Sequence, residues 1–210
     1  MKVLIADDHT IIREGLKKIL SNLPEVELIE EAGNGLEVMN MVAKAKFDIV
    51  ILDISMPGKS GLEVLKELKQ KKPNLAVLIL SVNPEEQYAI RALKSGASGY
   101  ISKSSASDEL INAVRIIHAG GKYITQNIAE KLVHEIEDDK VKAPHEKLSN
   151  REYQVMCMIA AGKSIREISD FLSLSVKTVS VYRVRVLEKL KMRNNSELTY
   201  YVIKNKLISS

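Results

Sequence analysis

The amino-acid sequence predicts an α/β domain, built as a (βα)5 doubly wound parallel sheet, followed by a small all-α domain. Three observations predict this architecture. Five short apolar runs alternate with helix-like segments in the first part of the chain, a polar segment containing one proline follows, and the remaining residues show only helical spacing. The chain has 210 residues, which is enough for two domains of ordinary size.

The five apolar runs are rich in Val, Ile and Leu and are short enough to be buried strands. They lie at residues 3–6, 26–29, 49–52, 75–80 and, more weakly, 99–101. Buried strands that alternate with helices pair in parallel and have helices on both faces of the sheet. The functional site of such a sheet lies beyond the carboxyl ends of its strands.

The segments between the strands have the spacing of amphipathic helices. The first helix places four apolar residues on one face, namely Ile12, Leu16, Ile19 and Leu20. A capping box at residues 60–63 begins the third helix, whose apolar face carries Leu62, Leu65 and Leu68. The fifth helix is predicted to begin after Ser107 as its N-cap and to end near Gly120.

Polar residues stand at the carboxyl ends of the predicted strands. They are Asp7 and Asp8 after the first strand, Asp53 after the third, Ser81 after the fourth, and Tyr100 to Lys103 at the fifth. Three carboxylates that meet at one edge repel each other, and Mg²⁺ is a natural cation to lie between them. Taken singly, an aspartate can merely cap a helix and a serine can begin a turn. Their convergence on one edge of the sheet favours phosphoryl chemistry.

These strand ends resemble the receiver domain of bacterial two-component response regulators. The motifs that match are ADDH at residues 6–9, LDISMPGKSG at 52–61 and YISK at 100–103. The resemblance implies a flavodoxin-like fold in which Asp53 accepts a phosphoryl group. A carboxylate there would attack a phosphohistidine in line while nearby cations offset the charge on the transferring oxygens.

The same resemblance implies roles for the other residues at this edge. Lys103 would contact the phosphoryl group, and Ser81 and Tyr100 would form a switch pair that responds to it. The ligands of Mg²⁺ would be Asp7, Asp8, Asp53 and the backbone carbonyl of Ser55.

Two other functions use the same residues. A Mg²⁺-dependent phosphohydrolase could use Asp53 as a nucleophile on small substrates. Phosphatases of the haloacid-dehalogenase type, however, carry a D-x-D motif after the first strand, whereas Asp7 and Asp8 are adjacent here. The sequence also has no substrate-sized cap domain. Alternatively, the chain could be a regulator whose activity does not depend on phosphorylation. The complete set Asp8, Asp53, Ser81 and Lys103 makes this the weaker interpretation.

The linker between the domains is marked by composition and by charge. Residues 134–147 read HEIEDDKVKAPHEK and lose apolar periodicity. We therefore predict a first domain at 1–122, a linker helix and linker at 123–146, and a second domain at 147–210. Residues 1–146 contain 19 Lys and Arg and 22 Asp and Glu, a net charge of −3. Residues 147–210 contain 12 Lys and Arg and 5 Asp and Glu, a net charge of +7. A small basic helical domain is typical of a nucleic-acid partner.

The second domain begins with two capped helices and a longer third helix. Capping boxes lie at residues 149–152 and 164–167, Gly162 is a stop signal, and a turn at 173–175 precedes the third helix at 176–190. The core-facing side of that helix carries Val179, Val186 and Leu190, with Arg183 at its edge. The other side carries valines among basic groups, which suits contacts with base edges and phosphates.

Residues 147–208 resemble the LuxR-type helix-turn-helix domain, in which the KTV and EKL elements are distinctive. Together with the receiver, this is the domain order of the NarL/FixJ class. The resemblance implies a four-helix DNA-binding domain that dimerises through its last helix, here residues 196–205. It places Ser180, Val181 and Val184 at base-reading positions, with Lys177, Thr178 and Arg185 near the DNA backbone.

We therefore expect a phosphorylation-controlled transcription regulator and not an enzyme. Its partners would be a sensor histidine kinase, double-stranded DNA and a second copy of the chain, with no membrane partner. The longest apolar run, 75–80, is far below the roughly 20 residues of a membrane span, and the apolar start ends at Ala6, so a cytoplasmic location is predicted. The single cysteine, Cys157, excludes an internal disulfide and is predicted to be a core residue.

Overall fold

Five parallel strands form the sheet of the first domain. The computed structural model describes residues 1–81, 86–126, 128–130, 143–205 and 207–208. The strands are β1 (Lys2–Ala6), β2 (Leu28–Ala32), β3 (Ile49–Asp53), β4 (Ala76–Ser81) and β5 (Gly99–Ser102). Their order across the sheet is β2-β1-β3-β4-β5, and every neighbouring pair is parallel. The predicted doubly wound, flavodoxin-like sheet is confirmed.

Each strand is followed by a helix, as predicted. These helices are α1 (Thr10–Leu20), α2 (Gly35–Lys44), α3 (Gly61–Lys71), α4 (Glu86–Lys94) and α5 (Ala106–His118). Helices α1 and α5 contact each other, and so do α2 and α3. Strand β3 is buried along its whole length, and β1 and β4 are buried except at their first residues. The apolar runs therefore form the core, and their carboxyl ends emerge together at one edge.

The predicted position of the second strand is wrong by two to three residues. The apolar run is at 26–29, whereas β2 pairs with β1 from Leu28 to Ala32. This strand lies at the edge of the sheet, so its middle residues are only half buried and include Glu30 and Glu31. Apolarity is a weak guide to an edge strand, because one of its faces can keep polar side chains.

Helix starts were predicted from capping residues with mixed accuracy. At the start of α3, the Ser60 hydroxyl accepts from the backbone N–H of Glu63, whose side chain accepts in return from the backbone of Ser60. The predicted capping box is therefore confirmed. The predicted N-cap of α5 is wrong, because the helix begins at Ala106 with Ser105 as its N-cap, and Ser107 lies in its first turn.

In the described residues from 143 onward, four helices follow a short 3-10 helix at Pro144–Lys147. They are α6 (Asn150–Ala160), α7 (Ile165–Leu172), α8 (Val176–Leu190) and α9 (Asn195–Lys204). Helix α6 packs against the three others, and both predicted capping boxes form at the starts of α6 and α7. Cys157 is buried in α6, as predicted for a core residue. The last helix lies within one residue of the predicted 196–205.

The chain divides into two compact units, Met1–Leu132 and Val133–Ser210. Tyr123 is hydrogen-bonded to the edge of β5, since its backbone carbonyl accepts from Tyr100 and its N–H donates to Ser98. The predicted boundaries at 122 and 146 stay a prediction, because residues 131–142 lie outside the described residues. Within the described part of the chain, no helix combines the length and apolarity needed to cross a bilayer.

Gly61, the first residue of α3, is required by close packing against the end of β3. A Cβ atom there would overlap the backbone carbonyl oxygen of Asp53 and lie 2.9 Å from Cα of Ile54. Gly61→Ala is therefore expected to lower the free energy of unfolding by at least about 2 kcal/mol, because backbone atoms cannot move aside cheaply. Urea unfolding followed by circular dichroism measures this.

The matched control is Gly15→Ala, because Gly15 lies inside α1 and an added Cβ meets nothing within 4 Å. This substitution should be neutral or stabilising, since alanine favours the helix. Equal effects of the two substitutions would contradict a packing requirement at Gly61.

Candidate functional site

Two carboxylates and one ammonium group meet at the carboxyl edge of the sheet. Asp7 directly follows β1 and Asp53 ends β3, and these neighbouring strands bring the two side chains together with almost no exposure. The Lys103 Nζ lies 2.6 Å from Asp7 Oδ2 and 3.0 Å from Asp53 Oδ2. The predicted convergence of these three residues is therefore observed.

Ionisation of Asp53 is disfavoured in this cluster, because the site is buried and the Asp7 carboxylate lies nearby. Burial raises the pKa of the Asp53 carboxyl, Lys103 acts against this, and the neighbouring Asp7 raises it further. Burial alone would lower the pKa of Lys103, but the carboxylates of Asp53 and Asp7 raise it above its ordinary value. One buried cation therefore faces two buried acids, so the site favours an additional positive ligand.

The acid oxygens themselves indicate what the site can bind. The Oδ2 atoms of Asp53 and Asp7 contact the Lys103 ammonium, whereas the buried Oδ1 of Asp53 has no hydrogen-bond partner among the described residues. Buried polar atoms are normally satisfied, and carboxylate oxygens are the ligands that Mg²⁺ prefers. The residues present therefore fit a hard divalent cation.

Asp8 and His9 lie at the more exposed side of the same cluster. The His9 Nδ1 is 2.9 Å from Asp8 Oδ1 and 3.2 Å from Asp7 Oδ1. One ligand atom from each of these three residues lies within 4.8 Å of the others. Asp8 was predicted as a site residue, whereas His9 was quoted in the ADDH motif without a role.

Arg13 is a second residue that the sequence analysis missed. Its Nη1 donates to the backbone carbonyl of Asp7 at 2.7 Å, and its Nε donates to Glu31 Oε2 at 3.1 Å. Arg13 thereby holds the end of β1 to the edge strand β2. The sequence hints at this role only through the position of Arg13 near the start of α1, close to the end of β1.

The remaining predicted residues lie near this edge, with fewer described contacts. Ser81 ends β4 and is buried, and its backbone carbonyl accepts from the N–H of Lys103 at 2.7 Å. Tyr100 is buried on the neighbouring strand β5. Ser55 is half buried two residues beyond β3. Residues 82–85, which follow Ser81, lie outside the described residues.

The second candidate site is the outer face of α8. Val179, Val186, Leu187 and Leu190 are buried in the domain, whereas Val181 and Val184 are 43% and 47% exposed. Lys177 and Arg185 are also exposed, and Thr178 and Ser180 are half exposed. The predicted surface, which we call the α8 face, is therefore assembled from Lys177, Thr178, Ser180, Val181, Val184 and Arg185.

The two hydroxyl groups of the α8 face are already hydrogen-bonded within the helix. The Ser180 hydroxyl donates to the backbone carbonyl of Val176 at 2.9 Å. The Thr178 hydroxyl lies 2.7 Å from that of Ser175, the N-cap residue of α8. The Ser180 oxygen keeps acceptor capacity, whereas Thr178 can donate or accept, because either hydroxyl of the Ser175–Thr178 pair can supply the proton.

Two polar contacts hold α8 in place. The Lys189 Nζ donates to Glu152 Oε2 of α6 at 2.6 Å, and Arg183 Nε donates to Asn195 Oδ1 of α9 at 2.7 Å. Burial works to raise the pKa of Glu152, but hydrogen bonds from Lys189 and Ser149 outweigh it and hold the pKa below its ordinary value. The α8 face is thus fixed relative to the domain core.

Lys189→Met is expected to lower the free energy of unfolding of the second domain by about 1–2 kcal/mol near neutral pH. It leaves the buried Glu152 carboxylate without its cation, although water around the half-exposed Lys189 reduces the cost. Because the folded-state pKa of Glu152 is lowered, the stabilisation exists above its unfolded pKa and is lost as pH falls through the folded value.

Urea unfolding of the wild type and Lys189→Met across pH 3–8 measures this effect, with the exposed Lys204→Met as control. The difference between wild type and Lys189→Met should shrink in acid. A difference that does not change with pH would contradict the ion pair.

Comparisons with known proteins identify a family for each of the two domains. The family model of the response regulator receiver domain matches residues 3–115, and that of bacterial regulatory proteins of the luxR family matches residues 146–202. Response regulator UvrY of Escherichia coli (strain K12) is 34% identical over 211 residues, which cover 100% of this chain and 97% of UvrY. Oxygen regulatory protein NreC of Staphylococcus epidermidis is 36% identical over 216 residues, covering 99% of each protein.

A solved structure resembles the whole chain. It is RcsB from Salmonella enterica serovar Typhimurium, bound to promoter rprA in the presence of the phosphomimetic BeF3⁻. The alignment covers 97% of this chain and 98% of RcsB, with 27% identity and a TM-score of 0.62. The chain therefore belongs to the two-component response regulators that join a receiver domain to a LuxR-type helix-turn-helix domain, the NarL/FixJ class.

Proposed function

We propose that Asp53 accepts a phosphoryl group from a sensor histidine kinase, and that this modification controls dimerisation and DNA binding. The observation that carries the proposal is the buried cluster in which Lys103 lies within 3.0 Å of both Asp53 and Asp7. In the transfer, an oxygen of Asp53 forms a bond to phosphorus as the phosphorus–nitrogen bond of the kinase phosphohistidine breaks. The electron pair of that bond stays on the imidazole.

The residues around Asp53 have distinct parts in this step. The Lys103 ammonium neutralises negative charge on the transferring oxygens, and its contact with Asp7 holds it beside Asp53. Mg²⁺, when bound, would supply further charge neutralisation and would be held by Asp7, Asp8, Asp53 and the backbone carbonyl of Ser55. Arg13 keeps the Asp7 backbone in position.

The transmission of the signal is assigned to Ser81 and Tyr100. A phosphoryl group on Asp53 offers acceptor oxygens to the Ser81 hydroxyl, and movement of the Ser81 backbone would carry the attached Lys103 backbone with it. Tyr100 lies three residues before Lys103, on the strand that pairs with β4. A charge change at Asp53 would thereby alter the surface formed near β4 and β5.

The α8 face is the proposed reading surface for double-stranded DNA. Exposed valines beside Lys177 and Arg185 suit thymine methyl groups and phosphates, respectively. A homodimer would place two such faces on half-sites about one helical turn apart. The net charge of +7 from residue 147 onward supports a polyanionic partner. A cytoplasmic location follows from DNA as the partner.

Intact mass spectrometry of the full chain, incubated with acetyl phosphate and Mg²⁺, tests the receiver function. We expect one phosphoryl adduct per chain and a higher dimer fraction by light scattering. No adduct should form when EDTA is present from the start of the incubation. No adduct with Mg²⁺ present would favour the regulator whose activity does not depend on phosphorylation. Repeated turnover of an aryl phosphate would favour the phosphohydrolase.

A further inference from the structure

We propose that Tyr123 is a clasp that holds the start of the linker to the edge of β5, and that phosphorylation of Asp53 opens this clasp. The inference rests on the proposed function, because phosphorylation is the signal that acts on the clasp. It goes further by assigning to Tyr123, for which the sequence analysis gave no role, the step that passes the signal from the receiver into the linker.

The clasp adds a short strand-like segment to the outer edge of β5, which is the last strand of the sheet. The Tyr123 N–H donates to the Ser98 carbonyl at 2.9 Å, and the Tyr123 carbonyl accepts from the Tyr100 N–H at 3.3 Å. Tyr123 thereby forms a parallel bridge with Gly99. The phenol hydroxyl donates to Glu109 Oε2 of α5 at 2.9 Å. Three hydrogen bonds therefore hold Tyr123 to the receiver.

Gly99 is required for this close approach of two backbone segments. A Cβ atom at position 99 would lie 2.8 Å from the Tyr123 carbonyl oxygen and 3.1 Å from terminal carbon atoms of Leu78 and Ile117. The two side-chain ends can move aside within the core, whereas the Tyr123 carbonyl can only move away from β5. A single methyl group at position 99 would therefore open the clasp.

Strand β5 links the clasp to the phosphorylation site. On its inner side, the Lys103 N–H donates to the Ser81 carbonyl at 2.7 Å, and the Lys103 Nζ lies 3.0 Å from Asp53 Oδ2. On its outer side, the 3.3 Å bond from Tyr100 to Tyr123 is the longest of the three clasp bonds. A phosphoryl group that draws Ser81 and Lys103 inward would pull β5 away from Tyr123 and break this bond first.

Release of Tyr123 would act directly on the linker. The Ala129 N–H donates to the Thr125 carbonyl at 3.0 Å, so helical structure begins within three residues of the clasp. Burial and the hydrogen bond to Glu109 raise the pKa of Tyr123 to about 12, so the phenol keeps its proton at neutral pH. The clasp therefore responds to movement of β5 and not to ionisation of Tyr123.

Amide hydrogen exchange of the full chain, followed by NMR, tests whether the clasp opens. After treatment with acetyl phosphate and Mg²⁺, we expect the Tyr123 amide to exchange at least about ten-fold faster, because its bond to Ser98 is lost more often. The amide of Leu4, in the inner strand β1, is the internal reference and should not change. An unchanged Tyr123 amide, with the adduct verified by mass, would overturn the inference.

Gly99→Ala tests whether opening the clasp controls DNA binding. The untreated variant is expected to bind a site enriched by the wild type as tightly as the phosphorylated wild type does, so acetyl phosphate should add less than about two-fold. The control Val42→Ala removes buried volume from α2, which packs on α3, β1 and β2, and should keep the wild-type response. If Gly99→Ala behaves like Val42→Ala, Tyr123 is merely structural and the inference is wrong.

Tyr123→Phe decides the question if Gly99→Ala does not fold by circular dichroism. It removes only the hydroxyl bond to Glu109 and should raise the DNA affinity of the untreated chain by about two- to three-fold. Unchanged affinity in this variant would count against the clasp.

The outcomes separate this inference from the proposed function. Phosphorylation that tightens DNA binding while the Tyr123 amide stays unchanged would overturn the clasp and leave the proposed function standing. Failure of the wild type to form the adduct would contradict both.

Discussion

Asp53→Asn is expected to abolish phosphorylation by acetyl phosphate and, at the same time, to stabilise the receiver domain. The asparagine side chain has no carboxylate to attack phosphorus, so the adduct should fall below detection, at least about a hundred-fold. Stability should rise because burial raises the pKa of Asp53, which shows that the folded state disfavours its charge. Each unit of such a shift corresponds to about 1.4 kcal/mol.

The sign of this stability effect follows from proton linkage. Asp53 binds its proton more tightly in the folded state, so the folded protein is most favoured below the ordinary, unfolded-state pKa and loses stability as pH rises from there through the raised folded pKa. Above the raised pKa this penalty is present in the wild type, and it is absent at every pH in Asp53→Asn. The gain should therefore be measurable as a higher urea midpoint at neutral pH and should shrink in acid.

Asp48→Asn is the matched control for this prediction. Asp48 directly precedes β3, at the opposite edge of the sheet from Asp53, and is exposed. Its side chain accepts from the backbone N–H of Lys2, so its removal should not stabilise the fold. An adduct that persists in Asp53→Asn, or one that is lost in Asp48→Asn, would contradict Asp53 as the acceptor. Lower stability of Asp53→Asn would contradict the electrostatic argument.

Val184→Glu is expected to weaken binding to a selected DNA site by at least about a hundred-fold. Val184 lies 47% exposed on the α8 face, so glutamate there fits the folded domain. In a DNA groove it would bring a desolvated negative charge close to phosphates and would remove an apolar contact with base edges. Fluorescence anisotropy measures the affinity, using a site enriched from random DNA by the wild type.

The control for Val184→Glu is Leu36→Glu, which makes the same change of charge at an exposed apolar residue of α2 in the receiver. It should leave DNA affinity within about two-fold, since Leu36 is exposed on the receiver and does not belong to the α8 face.

Arg185→Ala should weaken binding to all DNA sequences alike and reduce the salt dependence of binding. Equal losses in Val184→Glu and Leu36→Glu would contradict the α8 face as the reading surface.

Much of the fold was predictable because fully buried strands are recognisable as short apolar runs in the sequence. The inner strands β1, β3 and β4 are apolar along almost their whole length, and their predicted positions agree with the structure within one residue at each end. Strand β2 was misplaced because Glu30 and Glu31 lie in an edge strand that tolerates charge. The helix α5 was started two residues late because three serines, at 104, 105 and 107, are each plausible caps.

The site was predictable only at the level of which residues meet. Topology brings the strand ends to one edge of the sheet, so Asp7, Asp53 and Lys103 could be grouped in advance, and motif resemblance added their expected roles. The contacts of Arg13 with Asp7 and Glu31 depend on side-chain torsions and on the placement of β2. The same is true of the His9 contacts and of the Lys189–Glu152 pair, which joins residues 37 positions apart.

The most direct test of the proposed switch is the DNA affinity of the full chain with and without phosphorylation, measured at one fixed salt concentration. We expect the wild type, treated with acetyl phosphate and Mg²⁺, to bind its selected site at least about ten-fold more tightly, a coupling of about 1.4 kcal/mol. Asp53→Asn should bind with the untreated affinity under both conditions. Equal affinity of the phosphorylated and unphosphorylated wild type, with the adduct verified by mass, would contradict control of DNA binding by Asp53.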